Sequence, residues 1–181
     1  ENPTKKLKII FSGTRDQYGK VPEKDLPVRE DYLPRVLTDY QSISNNAAEA
    51  HHLILNNVLR EQSIDVKINS LRLTNTYGPN QSSKTGSAIP IFIENAFKGA
   101  TIELWGGGEV LRDCNYIDDV VDAFLLLAST EIHGEVYNLG CCIGKNGMNI
   151  SARENLVTIK ELAEKIIKTV GRGYTQAIPY P

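Results

Sequence analysis

The sequence predicts an α/β fold built on a parallel sheet, and three stretches carry that prediction. Leu7-Lys-Ile-Ile-Phe11 is a short β-rich run ending at Ser12-Gly13, a strand that breaks into a turn. From about Ser44 to Gln62 the apolar residues Ala47, Ala50, Ile54, Val58 and Leu59 recur at helical spacing, with Ser44 placed as N-cap. Asp65 to Leu73 then largely alternates Val66, Ile68, Leu71 and Leu73 with polar residues and reads as the next strand. Strand, helix and strand in this order form a βαβ unit, whose two strands lie parallel.

The remaining elements follow in chain order. Residues 19–39 hold Pro22, Pro27 and Pro34 among charges and read as a surface loop. After a polar loop over 80–87, Ala88 to Lys98 reads as a helix with Pro90 in its first turn, where proline is tolerated. Thr101 to Trp105 is a short strand. Ile117 to Ser129, rich in Val, Ala and Leu, reads as a well-buried helix, and Val136-Tyr137-Asn138-Leu139 as another strand. Residues 140–155 read as a loop long enough to be an insertion. Thr158 to Val170 is amphipathic, with Ile159, Leu162, Ala163, Ile166 and Ile167 inward and Gly171 where a C-cap belongs. Ile178-Pro-Tyr-Pro181 reads as the strand after it.

Composition narrows the function classes. With 181 residues, 41% hydrophobic and 23% charged, the chain is globular and long enough for a substantial core. A net charge of −2 gives no basic footprint for nucleic acid, so phosphate binding would rest on a few placed residues. No apolar run approaches the roughly 20 residues of a membrane span. Cys114, Cys141 and Cys142 are an odd count without zinc-ligand spacing. That usage fits a reduced, cytoplasmic protein with no metal site.

Polar residues cluster where strands end. Ser12-Gly-Thr-Arg-Asp-Gln-Tyr-Gly19 follows the first strand, and Leu71-Arg-Leu-Thr-Asn-Thr-Tyr-Gly-Pro79 makes a rigid turn after the second. Trp105-Gly-Gly-Gly-Glu-Val-Leu-Arg-Asp-Cys-Asn-Tyr-Ile-Asp-Asp119 comes later. Ligands of open α/β folds sit at the carboxyl ends of the strands, which is where these turns fall. His51 and His52 face different sides of their helix and form no common site by spacing.

Taken together, these runs resemble the extended short-chain dehydrogenase/reductase family, the NAD-dependent nucleoside-diphosphate-sugar epimerases and dehydratases. The resemblance implies a Rossmann-type parallel sheet whose first strands and glycine-rich cofactor turn lie outside this chain, plus a smaller α/β lobe for the sugar nucleotide. It implies a division with 1–79 in the NAD-binding domain and 80–181 mainly in the substrate lobe, 101–140 returning strands and a helix to the main domain. It also implies bound NAD, a nucleoside-diphosphate sugar as substrate, and a homodimer paired through the helix after Tyr40.

Residue by residue, the resemblance gives Thr14, four before Tyr18-Gly19, the hydroxyl that bonds the sugar oxygen being oxidised; a polar strand end is the plainer alternative. Arg15-Asp16 stands where 4,6-dehydratases carry an acidic pair, which favours an epimerase. Tyr40 falls where the family's Tyr-x-x-x-Lys would place its acid/base and nicotinamide-ribose contact, the alternative being an ordinary loop residue. In Thr38-Asp-Tyr-Gln-Ser-Ile-Ser-Asn-Asn-Ala-Ala-Glu49, counting from Tyr40 puts Ser44 where the lysine belongs, and counting back from Ala-Ala-Glu puts Asn45 there and Gln41 at the tyrosine, so either register lacks the lysine. Without that cation nothing favours the ionised phenol, so a non-catalytic sugar-nucleotide-binding protein is a rival expectation. Asn75 takes the place of the family asparagine under the sugar diphosphate. Arg112 matches the arginine that clamps the diphosphate, for which a planar guanidinium is well suited. Gly106-Gly107-Gly108 is expected to let the backbone approach the nucleotide, and Asp113 and Asp119 to anchor Arg112 and cap the next helix.

Overall fold

A computed structural model of the protein describes residues 7–33, 37, 39–140 and 156–180. The chain divides into two compact units, Glu1–Thr74 with Asp118–Gly140 and Asn75–Ile117 with Cys141–Pro181. The first boundary falls between Thr74 and Asn75, and of residues 101–140 it is 118–140 that rejoin the first unit.

In the first unit, β1 (Leu7–Thr14), α1 (Tyr40–Glu61) and β2 (Val66–Leu73) form the expected parallel βαβ unit. A third strand, β7 (Val136–Leu139), joins β2, also in parallel, giving the order β1-β2-β7. Central β2 is the best buried, with Ile68 fully enclosed and Leu71 nearly so. Asn69 ties β7 in place: its Nδ2 donates to the Ile132 carbonyl at 2.9 Å and its Oδ1 accepts from the Glu135 amide at 3.1 Å.

Helix α1 starts earlier than its apolar spacing indicates. Asp39, not Ser44, is the N-cap, its carboxylate accepting from the Ser42 amide at 2.7 Å, while Ser42 returns the bond to the Asp39 amide. Either residue type can cap a helix, but Asp39 has a reciprocal partner three residues on. The last helix of this unit, α3 (Ile117–Ser129), is not well buried. It buries Val120 and Leu127 but leaves Val121, Leu125 and Leu126 exposed, because its apolar residues spread around more than one face of the helix.

At the amino ends of these strands an ion-pair cluster links three segments. Lys67 Nζ lies 2.6 Å from Glu131 and 3.1 Å from Asp65, and Lys8 Nζ lies 3.3 Å from Glu131. Hydrogen bonds from Lys67 and Lys8 hold the Glu131 carboxyl down to about 2, against an ordinary 4.5. A carboxyl depressed on folding adds stability above its unfolded value and loses it as pH falls toward its folded one. We therefore expect Glu131→Gln to flatten the decline of stability between about pH 4.5 and about pH 2, as read from denaturation midpoints across that range.

Among its described residues, the second unit contains three strand pairs and two α-helices. β3 (Asn75–Tyr77) runs parallel to β6 (Cys114–Tyr116), and β4 (Thr101–Trp105) parallel to β9 (Tyr174–Ile178). β5 (Leu111–Arg112) is antiparallel to β8 (Val157–Thr158). Strand β9 ends at Ile178 rather than beginning there, since the Pro179 that follows has no N–H for a ladder bond. The core is Phe92 and Ala96 of α2 (Ala88–Phe97), Ile102 and Leu104 of β4, and Ala163 of α4 (Ile159–Val170). Ile159, Ile166, Ile167 and Val170 pack around it. Pro90 is harmless in α2 because the first amide needed for a helical bond is that of Ile91, which donates to the Ser87 carbonyl. Thr158 and Glu161 cap α4 reciprocally, and Gly171, in the left-handed region at φ 81°, ends it. The expected insertion over 141–155 lies outside the described residues.

Candidate functional site

Because β1, β2 and β7 are parallel, their carboxyl ends share one edge, and the polar residues beyond the strand cores converge there. Thr14, the last residue of β1, caps a short 3-10 turn, Arg15–Tyr18. Its amide donates to Gln17 Oε1 at 2.8 Å, and its Oγ1 accepts from the Asp16 amide and donates to Asp16 Oδ2, both at 3.2 Å. Gln17 is buried and folds back so closely that a Cβ on Gly13 would lie 2.4 Å from its Oε1. A side chain at 13 would therefore displace the Gln17 amide from its bond to Thr14.

Behind this turn lies a buried ionic network that sequence reasoning did not find. Arg72, on β2, donates from Nε to both carboxylate oxygens of Glu49, at 3.2 and 3.1 Å, and from Nη2 to Oε1. Glu49 Oε2 also accepts from the Ser70 hydroxyl at 2.5 Å. Burial opposes ionisation of Glu49, but hydrogen bonds from Arg72 and Ser70 outweigh it, and its carboxyl is held below the ordinary range. The Arg72 guanidinium stands 4.7 Å from the centre of the Tyr18 ring, and Tyr18 OH donates to Asn138 Oδ1 at 2.5 Å. Burial pushes the Tyr18 phenol up, with Arg72 working against it. Asn138, on β7, is held in turn by Glu30 Oε1, which accepts from its amide, and by the Val28 carbonyl, which accepts from its Nδ2. A fixed chain of contacts therefore joins α1, all three strand ends and the loop before α1. Ser70 and Arg72 are two of four polar residues in β2, with Lys67 and Asn69, so nothing in the strand's own sequence set them apart.

Tyr40 is the first residue of α1, with 91% of its surface exposed. The two positions where a lysine would be expected carry short side chains turned onto the helix itself. Ser44 Oγ donates to the Gln41 carbonyl at 3.1 Å and Asn45 Nδ2 to the same oxygen at 2.9 Å. His51 and His52 divide as their spacing requires: His51 is exposed, and His52 stacks on Phe11 with ring centres 5.0 Å apart.

In the second unit, Asn75 Nδ2 and backbone amide both donate to the Asp113 carbonyl, at 2.9 and 3.2 Å. The asparagine thereby holds β3 beside the segment that carries Arg112. Arg112 is half-buried on β5 opposite Val157 and forms no ion pair among the described residues. Gly78 of the Tyr-Gly-Pro turn packs against Ile117, where a Cβ would fall 2.3 Å from Ile117 Cγ2.

The close approach that requires glycine at 106 is to Tyr180, whose ring would lie 2.1 Å from a Cβ, and at 108 to the backbone of Lys160. Gly106–Gly108 joins β4 to β5 and opens no helix, so it does not fit the pyrophosphate of a dinucleotide, which is held at a helix N-terminus. Among the described residues no three or more of His, Cys, Asp and Glu group to hold a metal ion, and no helix is long and apolar enough to cross a membrane.

Comparison with known proteins agrees with this architecture. The chain is 32% identical over 158 residues to the Escherichia coli dTDP-4-dehydro-6-deoxyglucose reductase, covering 84% of this chain and 45% of that protein. It is 25% identical to the dTDP-glucose 4,6-dehydratase of Shigella flexneri over 99% of this chain and 48% of the relative. It thus spans about half the length of the curated relatives it matches. A solved UDP-glucose 4-epimerase with UDP-glucose, from Thermotoga maritima, superposes with a TM-score of 0.74 at 29% identity, covering 96% of this chain and 50% of that one. Residues 2–140 match the model of the NAD dependent epimerase/dehydratase family, and the chain belongs to that family.

Proposed function

We propose that the protein carrying this chain is an NAD-dependent nucleoside-diphosphate-sugar epimerase acting at C4 of the sugar. In this reading Thr14 faces the sugar hydroxyl, and Tyr40 exchanges its proton and contacts the nicotinamide ribose. Asn75 and Arg112 hold the diphosphate, with residues 1–79 chiefly serving the cofactor and 80–181 mainly the sugar nucleotide. NAD, when bound, accepts a hydride from the sugar and returns it; the described residues supply no cradle for its phosphates. The reading includes a cytoplasmic homodimer.

The observation that carries it is Arg112. A half-buried guanidinium with no carboxylate partner among the described residues is an anion receptor in waiting, because burying an uncompensated charge is costly. A diphosphate satisfies it with charge-assisted hydrogen bonds. Arg15, in place of an acid beside Thr14, favours epimerisation over the 4,6-dehydration named for several relatives. The short side chains of Ser44 and Asn45 favour a second reading, a protein that binds a sugar nucleotide without turning it over.

The test uses the protein in its natural full length with UDP- and dTDP-sugars. The epimer should accumulate by NMR, and Arg112→Ala should weaken sugar-nucleotide binding about 10- to 100-fold, the loss of one or two charge-assisted hydrogen bonds. Unchanged affinity in Arg112→Ala removes the clamp. Tight binding without any reduction of bound NAD removes the enzyme and leaves the binding protein.

A further inference from the structure

Both sides of the Thr14 hydroxyl are engaged by a single residue. A hydroxyl has one proton and two lone pairs. Asp16 takes the proton on Oδ2 and fills one lone pair with its backbone N–H, both at 3.2 Å. One lone pair remains. A carboxylate has no proton to give in exchange, so the hydroxyl proton stays directed at Asp16, whose other oxygen lies 3.6 Å from Arg15 Nε. The Thr14 backbone is fixed as well, by its bond to buried Gln17 at 2.8 Å.

We propose that Asp16 is a positioning residue that fixes the Thr14 hydroxyl as a hydrogen-bond acceptor, so that the site selects the alcohol form of a sugar carbon over its carbonyl form. An alcohol donates its O–H to the remaining lone pair. A carbonyl brings only lone pairs of its own and finds no donor in Thr14. The inference rests on the reading of Thr14 as the group that faces the sugar.

Calorimetric titration of the full-length protein with UDP-glucose and its 4-keto counterpart, and with the matching dTDP pair, tests it. The wild type should bind the alcohol about 3- to 10-fold tighter than the ketone, the worth of one hydrogen bond. In Asp16→Asn the side chain can donate to Thr14 and release its proton, so the ratio should fall toward unity. Arg15→Gln, which leaves the Asp16 carboxylate in place, should keep the wild-type ratio. A ratio near one in the wild type, or one unchanged in Asp16→Asn, overturns the proposal alone, provided that Thr14→Val weakens binding of the alcohol. If Thr14→Val leaves that affinity intact, or neither pair binds, the assignment of Thr14 to the sugar falls and the proposal with it.

Discussion

Replacing Glu49 with alanine should destabilise the first unit by about 3–5 kcal/mol, the usual consequence of leaving one member of a buried ion pair alone. The side chains of Arg72 and Glu49 are only 11% and 5% exposed, so solvent cannot compensate for the lost carboxylate. The damage should also spread, because the guanidinium freed from Glu49 is the one stacked on Tyr18. Denaturant titration followed by circular dichroism measures the loss. The double variant Glu49→Met with Arg72→Met should recover most of it, since no buried charge is then uncompensated. A double variant as unstable as Glu49→Ala would mean that shape, not charge, holds the network. Acid should mimic the single variant. The Glu49 carboxyl is depressed on folding, so its contribution is complete above the unfolded value and disappears as pH falls through the folded one.

Ile102→Ala should cost the second unit about 2–5 kcal/mol, the range for truncating a fully buried aliphatic side chain and leaving a cavity. Ile102 is 0% exposed between α2, α4 and the rest of the core, where Ala96 and Ala163 are too small to move into the space. The single tryptophan of the chain, Trp105, ends the same strand, so its fluorescence reports this loss directly. Ile102→Val removes one methylene and should cost about 0.5–1.5 kcal/mol. A truncation without effect on the Trp105 transition would show that β4 is not the keystone of that core.

Much of the fold was legible because it is encoded locally. Apolar spacing marked α1, α2 and α4, the alternation of Val66, Ile68, Leu71 and Leu73 marked β2, and Gly171 marked the end of α4. Failures came where residue type alone could not decide between candidates. Ser44 and Asp39 are both capping types, and only the reciprocal bond with Ser42 selects Asp39. The apolar content of α3 promised burial, but content does not reveal how many faces have something to pack against. The candidate site divides in the same way. Thr14, Tyr40, Asn75 and Arg112 were chosen from short runs of residues. Glu49, Arg72, Tyr18 and Asn138 meet only because the parallel register brings four separate segments to one sheet edge, and no short run carries that signal.

The first unit is interrupted. Its chain leaves after Thr74, builds residues 75–117 elsewhere, and returns at Asp118 to place β7 beside β2. On a ribosome, therefore, Ser70 waits for Val136 before its ladder can close, and Thr101 waits still longer for Tyr174. Contacts so distant in sequence slow the search for the native state. During that wait β2, whose Val66, Ile68 and Leu71 are buried in the finished sheet, is unpaired on one edge, and an emerging chain in that state is a substrate for chaperones.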